Sequence, residues 1–254
     1  MKYIAIITGA SSGLGLEMCR IIDREEDFSE IWLIARRRER LEDQAGLMRH
    51  PVKILAWDLT DRGLYNELKN QMDRDTKIGL VINSAGLGFD GPFEDMAEAD
   101  IREMIDLNIG ALTDLTYFCL PYMGAGSRII NIASVAAFLP QPDFAVYAAT
   151  KAYVLSFSRA LNAELKDSGI SVLAVCPNPM KTEFFEKASK TGGIKWFKAL
   201  GAESPKAVAE KAIRRSRRGR GVSLSHPASY FIRFISKIMP HSWILNIEKW
   251  IGLY

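Results

Sequence analysis

Short, uniformly apolar runs alternate with longer segments of helical period along most of the chain, and this rhythm restricts the fold more than any other feature. The runs cover residues 3–7, 31–35, 52–57, 79–83, 128–133, 171–176 and, more weakly, 222–225. A strand with one wet face alternates apolar and polar side chains. A run that is apolar throughout is buried on both faces, as in a parallel sheet covered by helices. Helical patterns fill the intervals at 14–23, 38–48, 61–73, 98–120, 147–167 and 205–217. Right-handed crossovers between parallel strands put such helices on both sides of the sheet. The prediction is an α/β, doubly wound parallel sheet of about seven strands with helices on both faces.

The 254 residues suffice for one substantial core, and no internal repeat or low-complexity linker divides them, so residues 1–254 read as a single domain. Residues 183–204 break the rhythm and contain Gly192-Gly193, Trp196 and Phe197; a flap over a site is expected there. With 48% hydrophobic and 25% charged residues the composition is that of a soluble globular protein, and a net charge of +3 is too small to argue for nucleic acid. Cys19, Cys119 and Cys176 are scattered and form no C-x-x-C, which disfavours a disulfide framework or a metal site. Reduced thiols in a cytoplasmic protein are expected. The N-terminus lacks a signal-peptide pattern, and no run of eighteen apolar residues predicts a spanning helix.

The first strand runs into Thr8-Gly9-Ala10-Ser11-Ser12-Gly13-Leu14-Gly15. Glycines permit a tight turn and close approach of a ligand to the backbone. The helix that follows offers free N–H groups and a positive dipole end, suited to a pyrophosphate. The same stretch matches the G-x-S-x-G nucleophile elbow. That elbow needs an acid and a histidine downstream, whereas the histidines here are His50, His226 and His241, the last two in an unsuitable tail. After strand two comes Ala35-Arg36-Arg37-Arg38, with no acid. An acid there would bond a ribose 2′-hydroxyl; arginine accommodates a 2′-phosphate, so NADP is favoured over NAD.

Ser134, Tyr147 and Lys151 form the candidate chemical centre. Tyr147 and Lys151 are four residues apart, one helical turn on one face. A phenol with a pKa of about 10 is a weak acid-base group near neutrality. A neighbouring ammonium is expected to draw that pKa down toward alcohol–ketone chemistry. Ser134 could hold the reacting oxygen.

Taken together, these motifs resemble the short-chain dehydrogenase/reductase family, closely over residues 3–182 and loosely beyond. The resemblance implies a Rossmann-like fold and assigns roles by position. Gly9, Ser11, Ser12, Gly13, Leu14 and Gly15 match the cofactor glycine motif, and Asp58-Leu59 sits where the family contacts adenine. Asn83-Ser84-Ala85-Gly86 is similar to the family's N-N-A-G. Ser134, Tyr147 and Lys151 match the catalytic trio and Asn108 its fourth member, which in the family holds a water beside the lysine. Pro177-Asn178-Pro179-Met180-Lys181-Thr182 resembles P-G-x-x-x-T beside nicotinamide, with Asn178 in the glycine position, where a left-handed backbone is expected to suit asparagine. The implied activity is NADPH-dependent interconversion of a ketone or aldehyde and an alcohol, in a homo-oligomer paired through the 98–120 and 147–167 helices. No metal is implied.

Substrate choice is expected from residues 87–93, 135–144 and 183–204, with Phe89, Phe93, Phe138 and Phe144 hinting at an apolar pocket. The basic run Arg214–Arg220 suits a helix C-terminus. Beyond it, residues 226–254 form a helical C-terminal extension with two apolar stripes, Phe231, Phe234, Ile235, Ile238 and then Trp243, Ile247, Trp250, Tyr254. These pack on the core, on a partner subunit, or on a membrane surface. The last choice belongs to an alternative reading, a membrane-peripheral reductase of a lipid-like or steroid ketone. A silent NADP-binding regulator is the remaining alternative.

Overall fold

The computed structural model describes residues 2–72, 75–180, 182–184 and 202–250. Of the expected flap, residues 185–201 lie outside the described residues, Gly192, Gly193, Trp196 and Phe197 among them, as do Lys181 and Tyr254. Seven strands form one sheet: β1 (Lys2–Thr8), β2 (Glu30–Ile34), β3 (Val52–Leu55), β4 (Thr76–Asn83), β5 (Arg128–Ile132), β6 (Ser171–Cys176) and β7 (Val222–Leu224). Every neighbouring pair is parallel, in the order β3-β2-β1-β4-β5-β6-β7.

The uniform apolarity of β1 has the expected cause. Ala5 and Ile7 enter one core with α1 (Gly13–Glu25), α2 (Arg38–Ala45) and α7 (Pro205–Arg217). Ile4 and Ile6 enter the opposite core with α3 (Leu64–Asn70), α5 (Leu112–Cys119) and α6 (Ala145–Glu164). All three cysteines are free and buried. Among the described residues no helix is long and apolar enough to cross a membrane.

The pattern at 98–120 is one helix in sequence but three pieces in space: α4 (Glu98–Ile105), a π-helical turn (Asp106–Ala111) and α5. The turn carries Asn108. Wider turns of this kind insert a residue without ending the helix, so they leave the apolar period almost intact.

The C-terminal extension also departs from one expectation. Helices α8 (Pro227–Ile238) and α9 (His241–Trp250) form as the stripes predict. Yet Phe231, Phe234 and Ile238, with Trp243 and Trp250, face outward, and Trp250 is 87% exposed. Among the described residues of the two stripes the chain's own core thus leaves most uncovered, Ile235 being half-buried; α8 turns Ser229 inward and α9 turns Ile244. The basic run is partly committed to the fold: Arg215 donates to the Val222 carbonyl at 2.8 Å, and Arg217 pairs with Glu25 and Glu26.

Candidate active site

The sheet order reverses between β1 and β4, and in open α/β sheets ligands bind beyond the carboxyl ends of the strands at such a point. A cavity of about 530 Å³ opens there, walled by the residues that follow β1 to β6. Its mouth depends on close contact between two turns. Thr8 Oγ1 accepts from the backbone N–H groups of Ser84 and Ala85, both at 3.0 Å. Gly9 has φ +65°, and a Cβ there would lie 2.8 Å from the Ala85 nitrogen, so only glycine fits.

Most residues singled out from sequence converge on this cavity: Gly9, Ser11, Ser12, Gly13, Leu14, Arg36, Arg37, Asp58, Leu59, Ala85, Gly86, Ser134, Tyr147, Lys151, Pro177 and Thr182. Three lie behind its wall. Gly15 packs under the turn, where a Cβ would meet the Gly9 carbonyl oxygen at 2.4 Å. Asn83 is buried and donates to Asn131 Oδ1 at 2.8 Å and Thr116 Oγ1 at 3.1 Å, bracing β4 against β5 and α5. Asn108 holds the Leu87 backbone through both edges of its amide, at 3.0 and 2.8 Å, and donates to Thr150 Oγ1 at 3.0 Å. These are positions that shape the wall from outside.

Tyr147 lies in the first turn of α6, stacked on Phe144 with ring centroids 4.2 Å apart. One turn on, Lys151 Nζ sits 5.6 Å from the Tyr147 ring centroid and donates to the Ile132 carbonyl at 2.9 Å. Burial pushes the Tyr147 phenol up to about 12, with the Ser134 hydroxyl beside it acting in the opposite direction. Burial also pushes the Lys151 ammonium down to about 8, opposed weakly by Cys176. Burial, rather than the neighbouring ammonium, sets the direction of the Tyr147 shift, and the Ser134 hydroxyl is the group that opposes it. Desolvation is the largest cause of the shift in both groups, since each loses water around its charged form.

At the other end, Arg37 donates to Ser12 Oγ at 2.9 Å, Ser11 Oγ at 3.2 Å and Glu183 Oε2 at 2.7 Å. Arg40 also binds Glu183. Arg36 turns instead to Glu103 at 3.2 Å, with Asp58 at 3.9 Å. Sequence reasoning missed Glu183, Arg40 and Glu103. Arg40 stands one helical turn after Arg37 and was within reach of that logic; Glu183 opens the expected flap, but at 146 residues from Arg37 nothing marked it as that arginine's partner.

The expected aromatic pocket is only partly present. Phe89 lines the cavity, Phe93 is exposed, Phe138 packs in a core cluster beneath α6, and Phe144 lies behind Tyr147. Phe184 lines the cavity too, its ring 5.6 Å from that of Tyr147. Asn178 does not take the left-handed conformation; among the described non-glycine residues Asp143 alone has positive φ. Its side chain has a different task. Asn178 Oδ1 accepts from Ser229 Oγ at 2.5 Å, and its N–H donates to Glu203 at 2.8 Å, tying the loop after β6 to α8.

The cavity suits a nicotinamide dinucleotide. Ser12 occupies the N-cap of α1 without capping it, which leaves the first N–H groups of that helix for an anion. Arginines stand at one end, and a hydroxyl, a phenol and an ammonium at the other. Residues 3–203 match the family described as short chain dehydrogenase. Sulfoacetaldehyde reductase 2 of Chromohalobacter salexigens is 34% identical over 200 residues, 76% of this chain and 78% of that protein. A short-chain dehydrogenase from Sphingobium yanoikuyae, solved in complex with NADPH, superposes with a TM-score of 0.78 at 29% identity, covering 96% of this chain and 95% of that one. The closed form of a serine dehydrogenase complexed with NADP+ gives 0.77 at 26% identity, covering 89% and 95%. The chain is an oxidoreductase that belongs to the short-chain dehydrogenase family.

Proposed function

We propose that the protein is an NADP(H)-dependent oxidoreductase interconverting a ketone or aldehyde carbonyl and an alcohol, with Tyr147 as the acid-base group. The observation that carries this reading is the meeting of Ser134, Tyr147 and Lys151 on one cavity whose far end holds Arg36 and Arg37. A nicotinamide cofactor bound there supplies or accepts the hydride. Ser134 holds the substrate oxygen by hydrogen bonding, and Tyr147 delivers its proton to that oxygen in reduction and recovers it in oxidation. Lys151 keeps positive charge beneath the phenol and binds the cofactor ribose. Asn108 is a positioning residue that fixes the Leu87 backbone and, through Thr150, the turn of α6 bearing Lys151. Holding both reactants in one geometry accounts for much of the acceleration.

NADP(H) rather than NAD(H) is supported by the arginines after β2, by the absence of an acid there, and by the two similar structures that hold NADPH and NADP+. Leu87, Phe89, Met180 and Phe184 on the cavity wall favour an apolar carbonyl substrate. The test is NADPH oxidation against ketones, steroids, acyl ketones and aldehydes, repeated with NADH and with Tyr147→Phe. Turnover with NADPH that falls at least a thousandfold in Tyr147→Phe, with cofactor binding kept, is the expected result. Activity within tenfold of wild type in that variant overturns the assignment, and equal use of NADH overturns the cofactor choice.

A homo-oligomer formed through the outer face of α5 and α6 is part of the same reading. That face carries Tyr117, 80% exposed, and Tyr153, whose hydroxyl lies 3.0 Å from that of Thr113. A second reading, peripheral contact with an anionic lipid surface, is favoured by the outward stripes of α8 and α9. Residues 227–250 carry Arg233, Lys237 and Lys249 against Glu248 alone, a charge that suits lipid head groups and disfavours a second copy of the same face. Deleting residues 228–254 should abolish co-sedimentation with phosphatidylserine vesicles; unchanged co-sedimentation refutes this reading.

A further inference from the structure

Every arginine at the adenosine end of the cavity is already engaged by a carboxylate. Arg36 has Glu103 and Asp58, and Arg37 and Arg40 share Glu183. The two arrangements differ in origin. Glu103 and Asp58 stand on the elements that build the wall, whereas Glu183 comes from the stretch after β6, across the cavity mouth. Its carboxylate meets the same groups that a phosphate would seek: two guanidinium groups, with the hydroxyls of Ser11 and Ser12 already bonded to Arg37. Hydrogen bonds from Arg40 and Arg37 hold the Glu183 carboxyl down to about 2, so it remains an anion across the working pH range.

The neighbouring residue extends the consequence. Phe184 packs against Tyr147, and a Cβ at Gly88 would lie 3.0 Å from Phe184 Cζ and 2.8 Å from Tyr147 Cδ2. Two adjacent residues thus bridge the ends of the cavity. Glu183 is on the arginines and Phe184 is on the phenol.

We propose that Glu183 is a cofactor-discriminating residue: its carboxylate occupies the anion seat of Arg37 and Arg40, and a ligand bearing a 2′-phosphate displaces it, while a ligand lacking that phosphate leaves it in place. The proposal rests on the NADP(H) reading above and adds an internal competitor to it. A phosphate dianion with three acceptor oxygens outcompetes a single carboxylate for two guanidinium groups. A 2′-hydroxyl does not. Displacement of Glu183 also shifts Phe184 from the Tyr147 ring, so recognition at the adenosine end reaches the substrate end.

The experiment measures calorimetric binding of 2′,5′-ADP and of 5′-ADP, neither of which carries nicotinamide, to wild type and Glu183→Gln. A partly exposed ion pair is worth up to about 1 kcal/mol, or about fivefold in affinity. Glu183→Gln should therefore bind 2′,5′-ADP about three- to fivefold more tightly than wild type, with 5′-ADP unchanged within twofold. In wild type, 2′,5′-ADP should raise amide hydrogen exchange in the peptide containing Glu183 and Phe184, and 5′-ADP should not. An affinity for 2′,5′-ADP that is unchanged or weaker in Glu183→Gln overturns the proposal. An equal gain for both ligands, which signals a general charge effect, overturns it too. Wild type that prefers 2′,5′-ADP yet shows these results loses only the Glu183 proposal. Wild type with no preference for 2′,5′-ADP loses the NADP(H) reading as well.

Discussion

Lys151 is required for the proposed chemistry, yet its burial burdens the fold. Only 5% of the residue is exposed, and burial lowers its ammonium from 10.5 to about 8. At about 1.4 kcal/mol for each pH unit, this corresponds to roughly 3 kcal/mol of destabilisation. The sign follows from proton linkage. The folded state binds the proton less tightly than the unfolded chain, so the penalty is complete below about pH 8 and fades as pH rises toward 10.5. Lys151→Met removes the charge and nearly keeps the volume. Against this gain stands the loss of the 2.9 Å hydrogen bond to the Ile132 carbonyl, worth about 1.5–3 kcal/mol. The net expectation is that Lys151→Met is more stable than wild type by about 1 kcal/mol at pH 7, and that this advantage disappears by pH 10. Urea unfolding of both proteins without cofactor at the two pH values measures it. A difference that does not change with pH, or one that grows in favour of Lys151→Met as pH rises, refutes the account of a buried ammonium.

Asn108→Ala leaves the Leu87 N–H and carbonyl without their amide partner, at a cost of about 1–3 kcal/mol in stability. Turnover should fall at least tenfold while NADPH affinity, read by fluorescence, stays within threefold, because Asn108 does not line the cavity. Asn178→Gly removes the acceptor for Ser229, so hydrogen exchange across α8 should rise with little change in β1 and β4. The pH profile of reductive kcat/KM for the cofactor should be flat from pH 6 to 7.5 and fall above about pH 8, where Lys151 loses its proton.

What the sequence revealed follows from what local patterns encode. Uniform apolarity of β1 is legible because helices cover both its faces, so every side chain from Ile4 to Ile7 is buried. The glycine turn is legible because Gly9 answers a backbone need that no other residue meets. The π-helical turn was hidden because an added residue at 106–111 leaves the surrounding apolar period nearly undisturbed. Asn83 and Gly15 match a ligand motif by position, but only three dimensions separate residues that touch the cavity from those bracing it. The direction of the α8 and α9 stripes could not be read, since amphipathic period marks an apolar face without saying what faces it. The direction of the Tyr147 shift is hidden for a related reason. Spacing brings Lys151 near Tyr147, but how deeply both groups are buried depends on the packing around them, which the motif does not include.

Transfer of the hydride tests the central proposal most directly. Incubation with NADPH deuterated at the transferable C4 position, in the presence of each carbonyl of the panel, is followed by mass spectrometry of the alcohol. The account predicts one deuterium on the carbinol carbon of at least one product with wild type, and none with Tyr147→Phe under the same conditions. Binding of NADPH without deuterium reaching any carbonyl, or equal labelling by wild type and Tyr147→Phe, would contradict it.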